Sequence, residues 1–230
     1  MITSAWWRRS ATTVAALAIA LIPAAVPAAA AAPTAAPSTA LASPHRAMPE
    51  PPPAEQARTE LNQLTVEAPH SMDGYSRQKF PHWITQYGTC DTREVVLQRD
   101  GQNVVQDAQC RAVAGTWLSL YDNKTFTDAK ALDIDHLVPL AASWRAGADT
   151  WTTDKRRAFA NDLTHSQLIA VSAASNRAKG DKGPDAWRPP SIAYWCTYSR
   201  AWTDIKYIYG LSTTDTEKQA LSDMLDTCDQ

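Results

Sequence analysis

Two strings constrain this chain more than anything else in it. Asp135-His136-Leu137-Val138-Pro139 sets a carboxylate beside a histidine at the end of the run from Ala131 to Leu137. Downstream, Gln167 opens a second apolar run, Leu168-Ile169-Ala170-Val171, which leads to Ser175-Asn176-Arg177-Ala178-Lys179-Gly180-Asp181. The first run predicts a strand over 131–137. The second has the near-continuous apolar character of a strand buried on both faces. Neighbouring residues on a strand point to opposite faces, so Asp135 and His136 can serve one site only if the strand ends or bulges there. Pro139 limits how far a regular ladder could continue.

Each piece alone has an ordinary explanation. An Asp-His pair is commonly a surface hydrogen bond, Asn176 a helix cap or turn residue, and Arg177, Lys179 and Lys182 a solvated basic turn. In this order, with a buried-type strand between them, they match a demand of phosphodiester chemistry. Water must be activated, the charge growing on phosphoryl oxygens stabilised, and the leaving alkoxide assisted. A hard cation held by one carboxylate and one amide oxygen can do the last two. A histidine that titrates near neutrality can take the proton from water.

The two strings resemble HNH (ββα-metal) nucleases, including the HNH domain of CRISPR effector nucleases. There one strand ends in Asp-His or His-His, a second strand follows, and a helix presents a His or Asn back toward the first pair. The wider chain, from Gly74-Tyr75-Ser76-Arg77 through Cys90-Asp91-Thr92-Arg93-Glu94 to the last cysteine, is similar to small secreted actinobacterial proteins. Those are identified as HNH endonucleases related to the C-terminal nuclease part of GmrSD-type restriction enzymes. The resemblance implies His136 as general base, Asp135 and Asn176 as metal ligands, and Arg177 and Lys179 at a substrate phosphate. The expected cofactor is one divalent cation, Mg²⁺ first, with Mn²⁺ and Zn²⁺ as alternatives. The expected substrate is DNA, with RNA as a second class. The middle residue of the motif, whose amide ties the loop that orients the histidine, falls on Gln167 by the family spacing; His165 and Asn161 compete for that role.

The N-terminus bounds the compartment. Arg8-Arg9, the apolar run from Val14 to Ile22 and the small residues up to Ala32 read as a cleaved secretory signal over 1–32. No segment predicts a membrane span in the mature form. Residues 33–53 are rich in Ala, Pro, Ser and Thr and predict a disordered linker. Residues 54–230 then supply one domain with one hydrophobic core, expected to be a secreted monomer. Of 22 basic residues the signal removes two, Arg8 and Arg9, and leaves 20 against 24 acidic ones, a net charge of −4. That balance argues against a tight, nonspecific DNA binder, so any positive footprint must be local. Arg177, Lys179, Lys182 and Arg188 are its candidates, while Lys155-Arg156-Arg157 reads as a solvated helix face.

All four cysteines lie in the exported domain, where disulfides are the expected state. Of three pairings, Cys90–Cys110 and Cys196–Cys228 each bracket a compact segment, a hairpin and a helical pair. A four-cysteine zinc site finds no Cys-x₂-Cys spacing here.

The rest of the pattern is α+β: a ββα-metal core with flanking helices and a small antiparallel hairpin. Ala54–Leu64 reads as a helix, and Thr92–Gln98 as a strand that turns at Asp100-Gly101 toward Val104-Val105. Trp117–Tyr121 reads as a further strand, Ala141–Arg145 as a helix, and Thr153 or Asp154 as the cap of another that runs through Leu163. Trp195, Tyr198, Trp202, Ile205 and Tyr209 form a core stripe on a long helix. Thr214-Asp215-Thr216-Glu217 is a capping box before Leu221, Met224 and Leu225. Arg93, on the outward face of its predicted strand, has two readings: pairing with Asp91 or Glu94, or reaching a substrate phosphate. The leading function is a secreted metal-dependent endonuclease. The alternative is a noncatalytic secreted binding module that keeps the fold.

Overall fold

The computed structural model describes residues 48–229. In chain order they form α1 (Ala54–Gln63), the short strands β1 (Thr85–Tyr87) and β2 (Cys90–Asp91), α2 (Thr92–Asp100), β3 (Gly101–Gln106), β4 (Ala112–Ser119), β5 (Lys124–Phe126), β6 (Leu132–His136), α3 (Leu140–Arg145), α4 (Thr153–Ala160), β7 (Leu168–Ser172), α5 (Ala173–Lys179), α6 (Trp195–Tyr209) and α7 (Asp215–Leu225). The predicted signal peptide lies outside the described residues. So does the linker up to residue 47.

β6 and β7 pair antiparallel in unbroken register, from Leu132 opposite Ser172 to His136 opposite Leu168. Both faces of this pair are covered, as the apolar run of β7 demands. Leu132, Ile134, Leu168 and Ala170 pack with Val96 and Leu97 of α2 and Trp117 of β4. Ile169 and Val171 face a larger core that holds Tyr121, Tyr198 and Trp202. Beyond β7 there is no further strand among the described residues, so other groups satisfy that edge. The Asp100 carboxylate accepts the amide of Ala170 at 2.8 Å and Ser119 Oγ accepts that of Ser172 at 3.0 Å. β7 passes straight into α5 because Ser172 caps the helix, its Oγ accepting the amide of Ser175 at 3.2 Å. Strand, strand and helix thus give the expected ββα arrangement, with α3 and α4 inserted between the strands. Three small antiparallel sheets and seven α-helices among the described residues make the fold α+β.

Thr92–Gln98 corrects the sequence expectation: it is helix, not strand. Asp91 is its N-cap and accepts the amide of Glu94 at 2.9 Å. Val96 and Leu97 are buried against the β6–β7 pair. Cap and tertiary burial outweigh the β-branched Val95-Val96 signal. Gly101 begins β3 rather than turning a hairpin. A Cβ there would meet the Trp117 ring at 2.4 Å, so only glycine lets the strand pass beneath that indole. The hairpin between β3 and β4 turns instead at Asp107, which accepts the amides of Gln109 and Arg111.

The other elements fall closer to expectation. The predicted strand over Trp117–Tyr121 is the end of β4, which stops at Ser119. α4 is capped by Thr152 and ends at Ala160 rather than Leu163. The α6 stripe is core, and Thr214 Oγ1 accepts the amide of Glu217 to open α7. Both favoured disulfides are present. Cys90–Cys110 ties the segment before α2 to the β3–β4 turn, and Cys196–Cys228 ties the start of α6 to the chain after α7. The end of the predicted linker is held on the domain: Met48 is buried, Ser166 donates to the Pro49 carbonyl, and Arg200 donates to those of Pro51 and Pro52.

Candidate active site

β6 ends at His136, and a cavity of about 280 Å³ lies at that end. Asp135, His136, Asn176 and Arg177 line it together with Tyr75, Arg77 and Asp181. Adjacent residues of opposite facing thus reach one space by the route the sequence required: the strand stops.

Asp135 is buried and held through one oxygen. Its Oδ2 accepts the Tyr121 hydroxyl at 2.6 Å and the Lys179 ammonium at 2.7 Å. Lys179 Nζ also donates to the His136 carbonyl at 3.0 Å. Burial pushes the Asp135 carboxyl up and the Lys179 ammonium down, and their contact opposes both shifts. Lys179 is fully enclosed, so its expected place at a substrate phosphate is corrected: it secures Asp135 from within.

His136 Nε2 lies 2.9 Å from the carbonyl of Ala160. A carbonyl only accepts, so Nε2 carries the proton and Nδ1 is the basic nitrogen of the neutral ring. Burial lowers the imidazole to about 3, the Ala160 bond opposes this, and Arg77, His82 and Lys179 add to the lowering. Trp83 lies over the ring, with centroids 5.5 Å apart and planes at 33°. It does so at a φ of 57°, a left-handed conformation rare for a bulky residue.

Asn176, in α5, donates Nδ2–H to Asp133 Oδ2 at 3.0 Å. That bond fixes the amide and leaves its carbonyl oxygen as the remaining donor atom. Asp133 and Asp135 alternate along β6, a pattern that could have pointed to Asp133 from the sequence. Gln167 is fully buried and clasps the loop after the histidine from both sides. Its Oε1 accepts the Val138 amide at 3.1 Å, and its Nε2 donates to the Val138 carbonyl at 2.9 Å. The competing candidates are occupied elsewhere. His165 pairs with Asp162 at 2.8 Å, while Asn161 bonds Thr92, Ile84 and Pro81.

The basic residues separate by place. Arg177 is exposed at the cavity. Arg93 sits in α2, not on a strand, and donates to the carbonyls of Ala129 and Leu132 at 3.3 Å. It does not line the cavity, which corrects its expected contact with phosphate. Arg188 reaches Asp223 and the Pro184 carbonyl, and Lys182 the Ala178 carbonyl. The local footprint is therefore not the basic turn as a whole. Arg77 also lines the cavity; it ends the Gly74-Tyr75-Ser76-Arg77 string of the resemblance, which assigned it no site role.

The donor set suits a hard cation: one carboxylate and one amide oxygen, completed by water and a phosphate oxygen. Among the described residues, no three His, Cys, Asp or Glu side chains converge at metal-binding spacing. Asp135 and Asn176 are the residues that could hold such an ion, an oxygen set closer to what Mg²⁺ takes than to the nitrogen- and sulfur-rich shell zinc prefers.

Residues 92–224 match the family model described as the C-terminal domain of GmrSD restriction endonucleases. A protein of Arthroderma benhamiae, described as an uncharacterized secreted protein, is 54% identical over 193 residues, covering 83% of this chain and 94% of its own length. No solved structure matches. That relative is fungal, so an actinobacterial restriction of the resemblance is not supported. The secreted relative and the two disulfides make this a secreted, extracellular protein. The match over more than half of the chain, and the long alignment with its secreted relative, show that the chain belongs to the GmrSD C-terminal domain family.

Proposed function

We propose that the protein is a secreted HNH endonuclease that hydrolyses phosphodiester bonds in DNA with the help of one divalent cation. The observation that carries this reading is the state of His136: its Nε2–H is committed to Ala160, and its ring shares a cavity with Asp135 and Asn176. A histidine arranged in this way is neutral and offers Nδ1 to a water proton. Gln167 holds the loop that follows it, and so the direction of the ring. Asp135 and Asn176 hold the cation, the first steadied by Tyr121 and Lys179, the second by Asp133. When bound, the cation stabilises charge on the phosphoryl oxygens and on the leaving alkoxide. Arg177, exposed at the rim, takes a phosphate oxygen of the substrate.

The noncatalytic alternative rests on the glutamine at the middle position and on the acidic balance. Gln167 makes the contacts that an amide there must make, and the cavity carries exposed arginines, so both supports weaken. The test incubates purified mature protein with plasmid, single-stranded DNA and RNA, adding Mg²⁺, Mn²⁺, Zn²⁺ or a chelator. Metal-dependent cleavage of DNA is expected. His136→Ala should slow it by about 10²–10⁴ while the fold is retained. Full activity of His136→Ala, in a preparation free of contaminating nuclease, would overturn the assignment.

A further inference from the structure

We propose that Arg77 is a second phosphate-contacting residue of this site, working with Arg177 as a two-armed clamp on the nucleic-acid backbone. This rests on the nuclease reading and extends it to a residue well upstream of the Asp135-His136 string. Arg77 and Arg177 come from segments far apart in the chain, one before β1 and one from α5, yet both line the same cavity and both are exposed. The other charges there are already matched. Asp135 is paired with Lys179 at 2.7 Å and Asp181 with Arg145 at 2.8 Å. Among the described residues, neither Arg77 nor Arg177 has a carboxylate partner. A chain with a formal net charge of −2 thus concentrates unmatched positive charge at this cavity.

Arg77 is also built into place. It starts a short 3-10 turn, Arg77–Lys79, between Tyr75 and Phe80. Those two rings pack on Trp144, with centroids 5.7 and 6.3 Å away. His82 Nδ1–H donates to the Phe80 carbonyl at 2.8 Å, so its Nε2 is an acceptor and takes Arg77 Nε–H at 3.3 Å. The stem of the arginine is steered, and the two terminal nitrogens of its fork are left over. That fork is the geometry that matches two phosphate oxygens at once. Lys79, the next cation along, lies instead over the Trp144 ring at 5.1 Å.

The experiment measures binding of intact mature protein to a short labelled DNA duplex in chelator, across a salt series, and cleavage of the same duplex with Mg²⁺. Arg77→Ala should weaken binding roughly tenfold at low salt, the size of a lost charge-assisted contact. It should also reduce the slope of log K against log salt by about 0.9, the share of one phosphate. Arg77→Lys should restore the slope but not the full affinity, since the ammonium lacks the fork. Arg177→Ala should act similarly, and the exposed Lys124→Ala should leave slope and affinity unchanged. If wild-type protein cleaves and Arg77→Ala binds with the same affinity and slope, the clamp is wrong and the nuclease reading stands. If wild-type protein binds but never cleaves, and Arg77→Ala loses slope, the clamp stands and the nuclease reading falls. If wild-type protein does not bind, both fall.

Discussion

Lys179 Nζ and Asp135 Oδ2 lie 2.7 Å apart inside the protein, and the Tyr121 hydroxyl reaches the same oxygen at 2.6 Å. The lysine therefore belongs to the support of the carboxylate rather than to the substrate surface. Removing one partner of a buried pair strands the other charge, at about 3–5 kcal/mol. Lys179→Met should lower stability by that order in chemical denaturation. It should leave the salt dependence of DNA binding as it is in the wild type. A variant of normal stability and reduced salt slope would return Lys179 to the phosphate.

Gln167 and Val138 exchange two hydrogen bonds, and both groups of Val138 are buried with them. Gln167→Ala should destabilise the protein by roughly 1–3 kcal/mol for each backbone group it orphans, and it should lower kcat more than it raises KM. Gln167→Glu keeps an acceptor for the Val138 amide, and at low pH its protonated carboxyl also supplies a donor for the Val138 carbonyl that the ionised form lacks. It should therefore fall between wild type and alanine in kcat at low pH. Equal kcat in all three proteins would mean that the clasp does not orient His136.

In the proposed reading, Asp133 acts on the cation site through Asn176, whose amide it holds. Asp133→Ala frees the Asn176 amide to rotate, and loss of such an outer partner commonly weakens metal binding about 10–100-fold. Cleavage should then require more Mg²⁺ and recover in part at high Mg²⁺, as should Asp135→Ala and Asn176→Ala. Titrating cleavage rate against Mg²⁺ separates this from a damaged fold, for which added cation restores nothing.

The α+β class and the grouping of the candidate site were both legible in the sequence, but not every element or every residue's place. Asp135, His136, Gln167 and Asn176 stand in short strings whose order carries chemistry, and the structure brings them to one strand end. Arg93 and Lys179 were misplaced because charge alone does not tell a surface cation from one enclosed by a partner. Only the burial of Lys179 against Asp135 and Trp202 decides that. Thr92–Gln98 misled because Val95-Val96 carries a strand signal, while the Asp91 cap competes with it and burial against β7 decides between them. Arg77 stands in a string of the resemblance, yet its role at the site was not legible for a different reason. Its place depends on Tyr75 and Phe80 docking on Trp144, a tertiary contact with no local pattern.

Both disulfides close loops, with sequence separations of 20 and 32. Each bridge should be worth about 2–4 kcal/mol. The pair Cys90→Ser with Cys110→Ser, and the pair Cys196→Ser with Cys228→Ser, should each lower the Tm. The intact protein should show no free thiol to an alkylating reagent, as all four cysteines are bridged. A single reactive thiol per chain would contradict the pairing.

Asp204 gives the stability a pH dependence that can be assigned to one residue. It lies buried in α6, where burial first and the nearby Glu60 and Asp162 carboxylates next raise it to about 6, with His165 opposing them. Its unfolded value is the ordinary one, near 3.8. The folded state thus holds the proton more tightly, so this residue's contribution is fully present below about 3.8 and is lost as pH rises through about 6. Asp204→Asn keeps the shape and removes the ionisation. Relative to the variant, the wild type should lose stability between about pH 4 and pH 7 and change little beyond. Taking the difference between the two proteins cancels other groups that titrate in the same window, which a single melting curve cannot do. A stability difference that is flat across that range would mean that Asp204 ionises in the folded protein as it does in the unfolded chain.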